Sequence, residues 1–443
     1  MIKSKSKKFF SNLKSIIIAI FIALIIALII VLIAWFSFFN KEISNINVKT
    51  IPENCENYII INSNKIKKEI SSYFFNNPGL LLRLYDNTES IQNEFNDINF
   101  KLNEPASIFW DHKTNIRGVY FSVNNVEDID TKKHNLSTIN INDTELFINE
   151  DKNTIYYRDV INNQIRVFFS DNNINSQEIY QTFIIKSTIS DTSTYNIKAL
   201  DYFNKNDNCA IFRINNDYSK FIGIQELKGN IDFSPKKISI LINGSVNDDF
   251  ILTDNDSLIE INNCWGNFSA NFKKRIIKNF FPKNDPIIKN WDGRVSIGFK
   301  NLKKVGKLLS IKKPYELLNH IDFSLFIGDR STNPDDSITS PFGTLTYFQK
   351  NKYSGYILNT EDNSLITNKN KNEHFKGSIN FNLLYDLQNN DLYWNTIKPI
   401  LMRFNLESIK MNCYPNEENK IEFNLDINSL DSTKHILFSP FIY

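Results

Sequence analysis

Thirteen Lys and Arg residues fall between Lys273 and Lys313, against only Asp285 and Asp292. In a chain whose net charge is +2, such segregation marks a surface able to face anions. Lys273, Lys274, Arg275 and Lys278 share the polar face of an expected helix. Lys303, Lys304, Lys307, Lys312 and Lys313 continue past Leu302, Val305, Leu308 and Leu309. Cations placed this way attract anionic lipid headgroups, an acidic envelope polymer or an acidic protein partner. Beside an anionic bilayer each well-placed cation contributes about 1 kcal/mol. The competing reading is that these lysines only solvate two helices.

No other residue set names a reaction. The histidines, His112, His134, His320, His374 and His435, include no pair at i, i+4 and no H-E-x-x-H. Neither a G-x-S-x-G elbow nor a complete S-x-x-K set is present. Asp171, Asn173 and Asn175 imitate the start of a calcium loop, but Ser176 stands where glycine is needed and Thr182 where the bidentate Glu belongs. Asp248-Asp249, Asp254-x-Asp256 and Asp335-Asp336 read as solvated turn carboxylates. Cys55, Cys209, Cys264 and Cys413 show no C-x-x-C spacing, which argues against zinc or redox chemistry. An oxidising compartment would permit up to two disulfides among them, in any of three connectivities. Cys413 alternates with Ile409 and Met411 and reads as a small buried core residue. No catalytic, cofactor or metal site is expected.

The elements positioning the basic block begin with an apolar run from Ser15 to Phe39, free of charge and proline. As a helix it would be ~37 Å long, enough to cross a ~30 Å hydrocarbon core. Lys3, Lys5, Lys7, Lys8 and Lys14 precede it, so the basic arm 1–14 is expected in the cytoplasm. The segment 15–39 is then an uncleaved signal anchor, 40–50 a tether, and the rest extracytoplasmic at the cell membrane (periplasmic where there are two membranes). Ala19, Ala23, Ala27 and Ala34 share one helical face, which would let two such helices self-associate. Facing outward, the basic block is not expected to meet nucleic acid.

Hydrophobic content of 42% and aromatic content of 13% predict folded material beyond the anchor. Strands are expected at 58–61, 107–110, 118–123, 145–148, 154–158, 165–169, 210–215, 238–242, 294–299 and 322–328. Helices are expected after Asn62-Ser63, after Asn175 with Glu178 as its capping box, and after Ser269. Pro415 to Asn419 are expected to turn a closing hairpin in which Ile421, Phe423, Leu425 and Ile427 alternate with polar residues. The fold class predicted is α+β: antiparallel sheets with packed helices, in ectodomain halves 51–205 and 206–443. Two echoes suggest a duplicated unit. Asn54-Cys55 resembles Asn208-Cys209, and Lys228–Phe233 resembles Lys376–Phe381.

Ile51-Pro52, the strand 58–61, its Lys-rich helix and the closing Asn428-Ser429-Leu430 resemble the ends of uncharacterised bacterial envelope ectodomains. That resemblance implies an envelope location and architecture but no activity. The expected function is a membrane-anchored, extracytoplasmic binding or scaffolding module. The alternative is a lipid-handling protein with an open amphipathic β groove. A groove predicts extra apolar side chains on an open sheet face, and a scaffold predicts closed, packed sheets.

Overall fold

Ile, Thr and the aromatics, which include 36 Phe and 18 Tyr, favour extended backbone, and where they alternate with polar residues the chain forms strand. The computed structural model describes residues 57–76, 208–214, 224–246, 258–271, 290–302 and 321–340, with 175–185 and most of 100–170 and 343–431. The first strands are β1 (Asn57–Ile61), β2 (Ala106–Asp111), β3 (Ile116–Ser122), β4 (Ser137–Ile141), β5 (Thr144–Asn149), β6 (Thr154–Asp159) and β7 (Gln164–Ser170). Next come β8 (Ala210–Ile214), β9 (Ile224–Ser234), β10 (Lys237–Val246), β11 (Ile259–Ile261), β12 (Gly266–Asn271), β13 (Trp291–Leu302) and β14 (Ile321–Asp329). The last are β15 (Ser337–Ser340), β16 (Gly343–Lys350), β17 (Tyr353–Leu358), β18 (Leu365–Thr367), β19 (Phe375–Asn380), β20 (Leu406–Glu417) and β21 (Lys420–Ser429).

Nineteen of these strands form one antiparallel sheet, while β11 and β18 pair separately. Followed through its registers, the large sheet runs β4-β5-β6-β7-β3-β2-β1-β8-β9-β10 and then β21-β20-β19-β12-β13-β14-β17-β16-β15. The two arms repeat each other outward from the β10–β21 pair. In each arm a hairpin partner (β9 or β20) is followed by β8 or β19, β1 or β12, β2 or β13, and β3 or β14. A three-strand meander closes each arm, and β4 extends only the first.

Registers support the repeat in detail. Asn62 donates its backbone N–H to the carbonyl of Cys209 at 2.8 Å, and Asn271 donates to that of His374 at 2.9 Å. The strands β10 and β21, ten residues each, pair antiparallel with Leu241 opposite Asn424. That geometry places a local two-fold axis at this pair. Neither sequence echo joins equivalent strands: the Asn-Cys pairs precede β1 and β8, which are neighbours, and the other echo links β9 to β19.

With only 13 glycines available, Asn takes many of the left-handed turn positions. Asn142 (φ 45°) and Asp143 (φ 63°) turn β4 into β5, Asn153 (φ 48°) precedes β6, and Asn163 (φ 50°) precedes β7.

Helices are minor: α1 (Ser63–Asn76), α2 (Ser176–Ile179, continued as a π-turn over Tyr180–Ile185), α3 (Phe381–Tyr385) and α4 (Leu392–Arg403). Two expected caps form. The Asn62 side chain accepts from Lys65 N at 3.0 Å, and that of Asn175 accepts from Gln177 N at 3.0 Å. Ser269 caps nothing; it sits inside β12, opposite Ser296 and Lys376. The closing hairpin is tighter than expected, with strand running through Pro415 to Glu417.

The α+β class is therefore corrected. Among the described residues 63% are in antiparallel strands, nearly all in one large sheet, and only 15% are helical. Period-two alternation extends over most of the described residues, so sheet rather than packed helices organises them. The membrane placement is corrected as well. Among the described residues no helix is long and apolar enough to cross a membrane. Segment 15–39, with Ala19, Ala23, Ala27 and Ala34, lies outside the described residues, and the single-pass anchor has no support in the structure.

Each arm carries its own core. In the first, Ile179, Phe183 and Ile184 pack on Tyr58, Ile60, Phe109, Tyr120 and Phe168. Phe109 and Tyr120 meet edge to face with centroids 4.8 Å apart. Gly118 admits this packing, because a Cβ there would enter the Phe109 ring. In the second arm both faces of β14 are buried. Phe323, Leu325 and Ile327 pack with Ile338, Leu345 and Tyr356, while Phe326 packs on the other side with Ile259, Ile261 and Leu365 of the small sheet.

Candidate functional site

The nine expected anion-binding residues, Lys273, Lys274, Arg275, Lys278, Lys303, Lys304, Lys307, Lys312 and Lys313, lie outside the described residues. The strand between them is described. β13 separates the two lysine-bearing stretches, which join it at opposite ends, after Asn271 and Leu302. Asn271 lies opposite Arg294, eight residues before Leu302, so those junctions are about 25–30 Å apart. Within the block, Arg294 is buried, its Nε 2.7 Å from Asp292 Oδ2. Lys300 Nζ donates to the Asn359 carbonyl at 3.0 Å.

Cys209, Cys264 and Cys413 are free thiols, so no disulfide joins any two of them. Among the described residues no three His, Cys, Asp or Glu side chains are grouped to hold a metal. Asp335 and Asp336 are exposed.

The most distinctive surface is at the centre of the sheet. Strand alternation puts four rows of side chains on one face of β20, β21, β10 and β9, where the registers align them. Ile409, Ile427, Ile238 and Phe233 form the first row, and Met411, Leu425, Ile240 and Ile231 the second. Cys413, Phe423, Ile242 and Gly229 form the third, and Pro415, Ile421, Gly244 and Leu227 the fourth. No hydrogen-bonding side chain other than the Cys413 thiol interrupts this field. Of its large aliphatic and aromatic side chains, only Ile421 is fully buried; the others are half-buried. Both arms, by contrast, bury their aromatic cores.

The opposite face of the same strands is polar and internally paired. Lys237 Nζ lies 2.8 Å from Asp426 Oδ1, which also accepts from Ser239 Oγ at 3.0 Å. Asn428 Nδ2 donates to Ser408 Oγ at 3.1 Å, and Cys209 Sγ lies 3.2 Å from Asp232 Oδ1. Tyr414 Oη donates to Glu373 Oε1 at 2.9 Å. Cross-strand pairs of this kind satisfy a wet face.

Local electrostatics follow the packing. Burial pushes the Cys413 thiol up to about 12, which keeps it neutral and apolar in the field. Burial, joined by the hydrogen bond to Glu373, pushes the Tyr414 phenol up to about 12. Burial lowers His374 below its usual value.

Alternation in Ile421 to Ile427 is plain in the sequence. Its continuation through Ile231 and Phe233, through Ile238, Ile240 and Ile242, and through Ile409 and Met411 carries the same period-two signal. What the sequence leaves open is that four separate segments align these residues into one field.

No protein-family model matches the chain, and no curated protein matches it either. Among solved structures, crystal form I of TP0453 is similar at 8% identity, covering 47% of this chain and 81% of that one with a TM-score of 0.30. Crystal form III of the same protein gives 7% identity, 46% and 81% coverage and a TM-score of 0.28.

Proposed function

We propose that this protein is a binding module that takes the acyl chain of a lipid on the apolar face of β9, β10, β21 and β20. One observation carries the reading: the half-exposed field from Leu227 to Phe233, Ile238 to Ile242, Ile409 to Cys413 and Ile421 to Ile427. An apolar field of this kind on a sheet face marks a place where something apolar binds, and it continues sideways into Ala210, Phe212 and Ile214 of β8 and Phe375, Gly377 and Ile379 of β19. Strand geometry gives the four central strands about 20 Å along their length and about 14 Å across. Their half-buried aliphatic side chains, with no hydrogen-bonding group but the Cys413 thiol among them, suit a flexible aliphatic ligand.

The test is lipid retention. The chain, purified gently without detergent, is expected to carry lipid that mass spectrometry identifies, and Ile240→Asn should deplete it several-fold. A chain that retains no lipid would overturn the reading, as would retention unaffected by that substitution.

A further inference from the structure

Resting on the acyl-chain reading, we propose that the sheet edge beside the first row of the field docks on a lipid bilayer, from which the acyl chain enters. Met402, Phe404 and Leu430 make the contact. The registers carry one edge across the sheet, from the β6–β7 turn through Ser122, Ala106, Ala210 and Ser234 to Ser429, Leu406 and Asn380. Nine large apolar side chains are exposed among the described residues, and seven of them stand at this edge. Phe100, Val160 and Ile161 project from the first arm, and Leu383, Met402, Phe404 and Leu430 project beside the field. The other two, Ile139 and Ile366, lie on β4 and in the small sheet. The opposite edge exposes Glu150, Asp151, Arg330, Asp335 and Asp336.

Asn405 builds the contact. It follows α4 in the left-handed conformation, at φ 54°, and is buried. Its carbonyl accepts from Leu430 N at 2.8 Å. Its side chain accepts from Asp431 N at 3.1 Å and donates to the Asp431 carbonyl at 2.9 Å. Phe404 N donates to the Leu401 carbonyl at 3.1 Å. Phe404 and Leu430 are thus held outward with their backbone N–H groups satisfied inside the protein, as a surface that leaves water requires. Leu430 stands about 10 Å beyond Ile427 of the first row. Trp394 of α4 belongs to the same packed cluster as Ile409 of that row.

Charge complements the apolar contact. Lys236 and Arg403 are exposed there, and the Lys236 carbonyl accepts from Ser429 N at 2.8 Å. The acids beside them are Glu407 and the half-buried Asp431. The balance is therefore set by the connection 303–320, which leaves this edge at Leu302 and returns to it at Ile321. Its sequence holds Lys303, Lys304, Lys307, Lys312 and Lys313 against Glu316. Apolar side chains with such cations at the same edge match an anionic bilayer.

The test follows backbone hydrogen exchange of the full-length chain with and without vesicles of phosphatidylcholine and phosphatidylglycerol. Amides at 402–405 and 428–431 should exchange several-fold more slowly with vesicles, while those at 150–153 and 330–336 stay unchanged. Phe404→Asp should abolish that slowing and delay uptake of labelled lipid from the vesicles. It should spare the lipid already carried after purification, which Ile240→Asn depletes. Slowing at the opposite edge, slowing that survives Phe404→Asp, or none at 402–405 in a chain that carries lipid would overturn docking and leave acyl binding intact. Slowing that grows with protein concentration in the absence of vesicles would instead mark a contact between copies and also overturn it. A chain that shows the slowing yet never carries lipid would sink the acyl reading, and the entry route with it.

Discussion

The ring of Phe212 lies against Gly229 across the β8–β9 pair, so that a Cβ added at Gly229 would stand 2.7 Å from Phe212 Cζ and press on the Leu241 carbonyl. At the equivalent pair of the other arm the sizes are exchanged. There Gly377 is the small partner and Met411 the large one, with a Cβ at Gly377 meeting Met411 Cε at 3.0 Å and Phe268 Cδ1 at 2.9 Å. Large-with-small is conserved in volume, though the residue that supplies the volume changes strand. Overpacking such a site costs about 1–3 kcal/mol. Gly377→Ala is expected to destabilise the protein by that amount in denaturant unfolding. Adding Met411→Ala should recover part of the loss, whereas strictly additive effects would show that the two residues are not packed together.

Arg166 is completely buried, pairs with Asp159, and lies 4.9 Å from the Tyr120 ring centroid and 5.5 Å from that of Tyr157. Removing one member of a buried pair strands the other charge, at about 3–5 kcal/mol, while replacing both with apolar residues is often nearly neutral. Asp159→Ala should therefore lower the unfolding midpoint sharply, and the double variant Asp159→Leu, Arg166→Met should lower it less. A double variant worse than the single one would refute this account.

Stability should decline at both ends of the pH scale. Cys209, Cys413 and Tyr414 are each pushed up to about 12, from ordinary values of 9.0 for the thiols and 10.0 for the phenol. Above about pH 9 the unfolded chain gives up these protons before the folded one does. Their contribution is thus complete below that point and is lost as pH rises towards about 12. His374 runs the other way. Burial lowers it from 6.5, so the unfolded chain binds its proton first on acidification. Its contribution is complete above about pH 6.5 and is lost as pH falls through the folded value. Denaturant unfolding followed from about pH 5 to about pH 11 should show both limbs. His374→Gln should flatten the acid limb and leave the alkaline one.

Local structure was legible in the sequence wherever one segment carries its own signal. Asn62 and Asn175 cap helices as their side chains predict, and Ile421 to Ile427 alternate along one strand. Ser269 misled because a hydroxyl before an apolar residue also suits a strand interior, where it faces Ser296. Arg294 counted towards a basic surface, yet it is buried against Asp292. The sheet order could not be read, because pairing β10 with β21 joins Lys237 to Asn428 across nearly two hundred residues by backbone hydrogen bonds alone. The two echoes that suggested a duplicated unit join strands that are not equivalent, because the arms match in register and in the summed volume of paired residues, as with Phe212–Gly229 and Gly377–Met411, rather than in residue identity.

Leu241 and Ile240 are adjacent and half-buried, but point to opposite faces of β10. Leu241 stands in a polar row with Asn412, Asn424 and Asn230, whereas Ile240 stands between Leu425 and Ile231 in the apolar field. The same substitution at the two positions therefore separates strand stability from ligand binding. Leu241→Asn completes a row of Asn side chains and should leave lipid retention unchanged. Ile240→Asn puts an amide where an acyl chain would lie, and that amide loses hydrogen bonds to water when covered, at about 1–3 kcal/mol. Retained lipid should fall by roughly ten-fold for a loss of that size. Equal loss from both variants would mean that the strand itself, rather than its apolar face, governs retention.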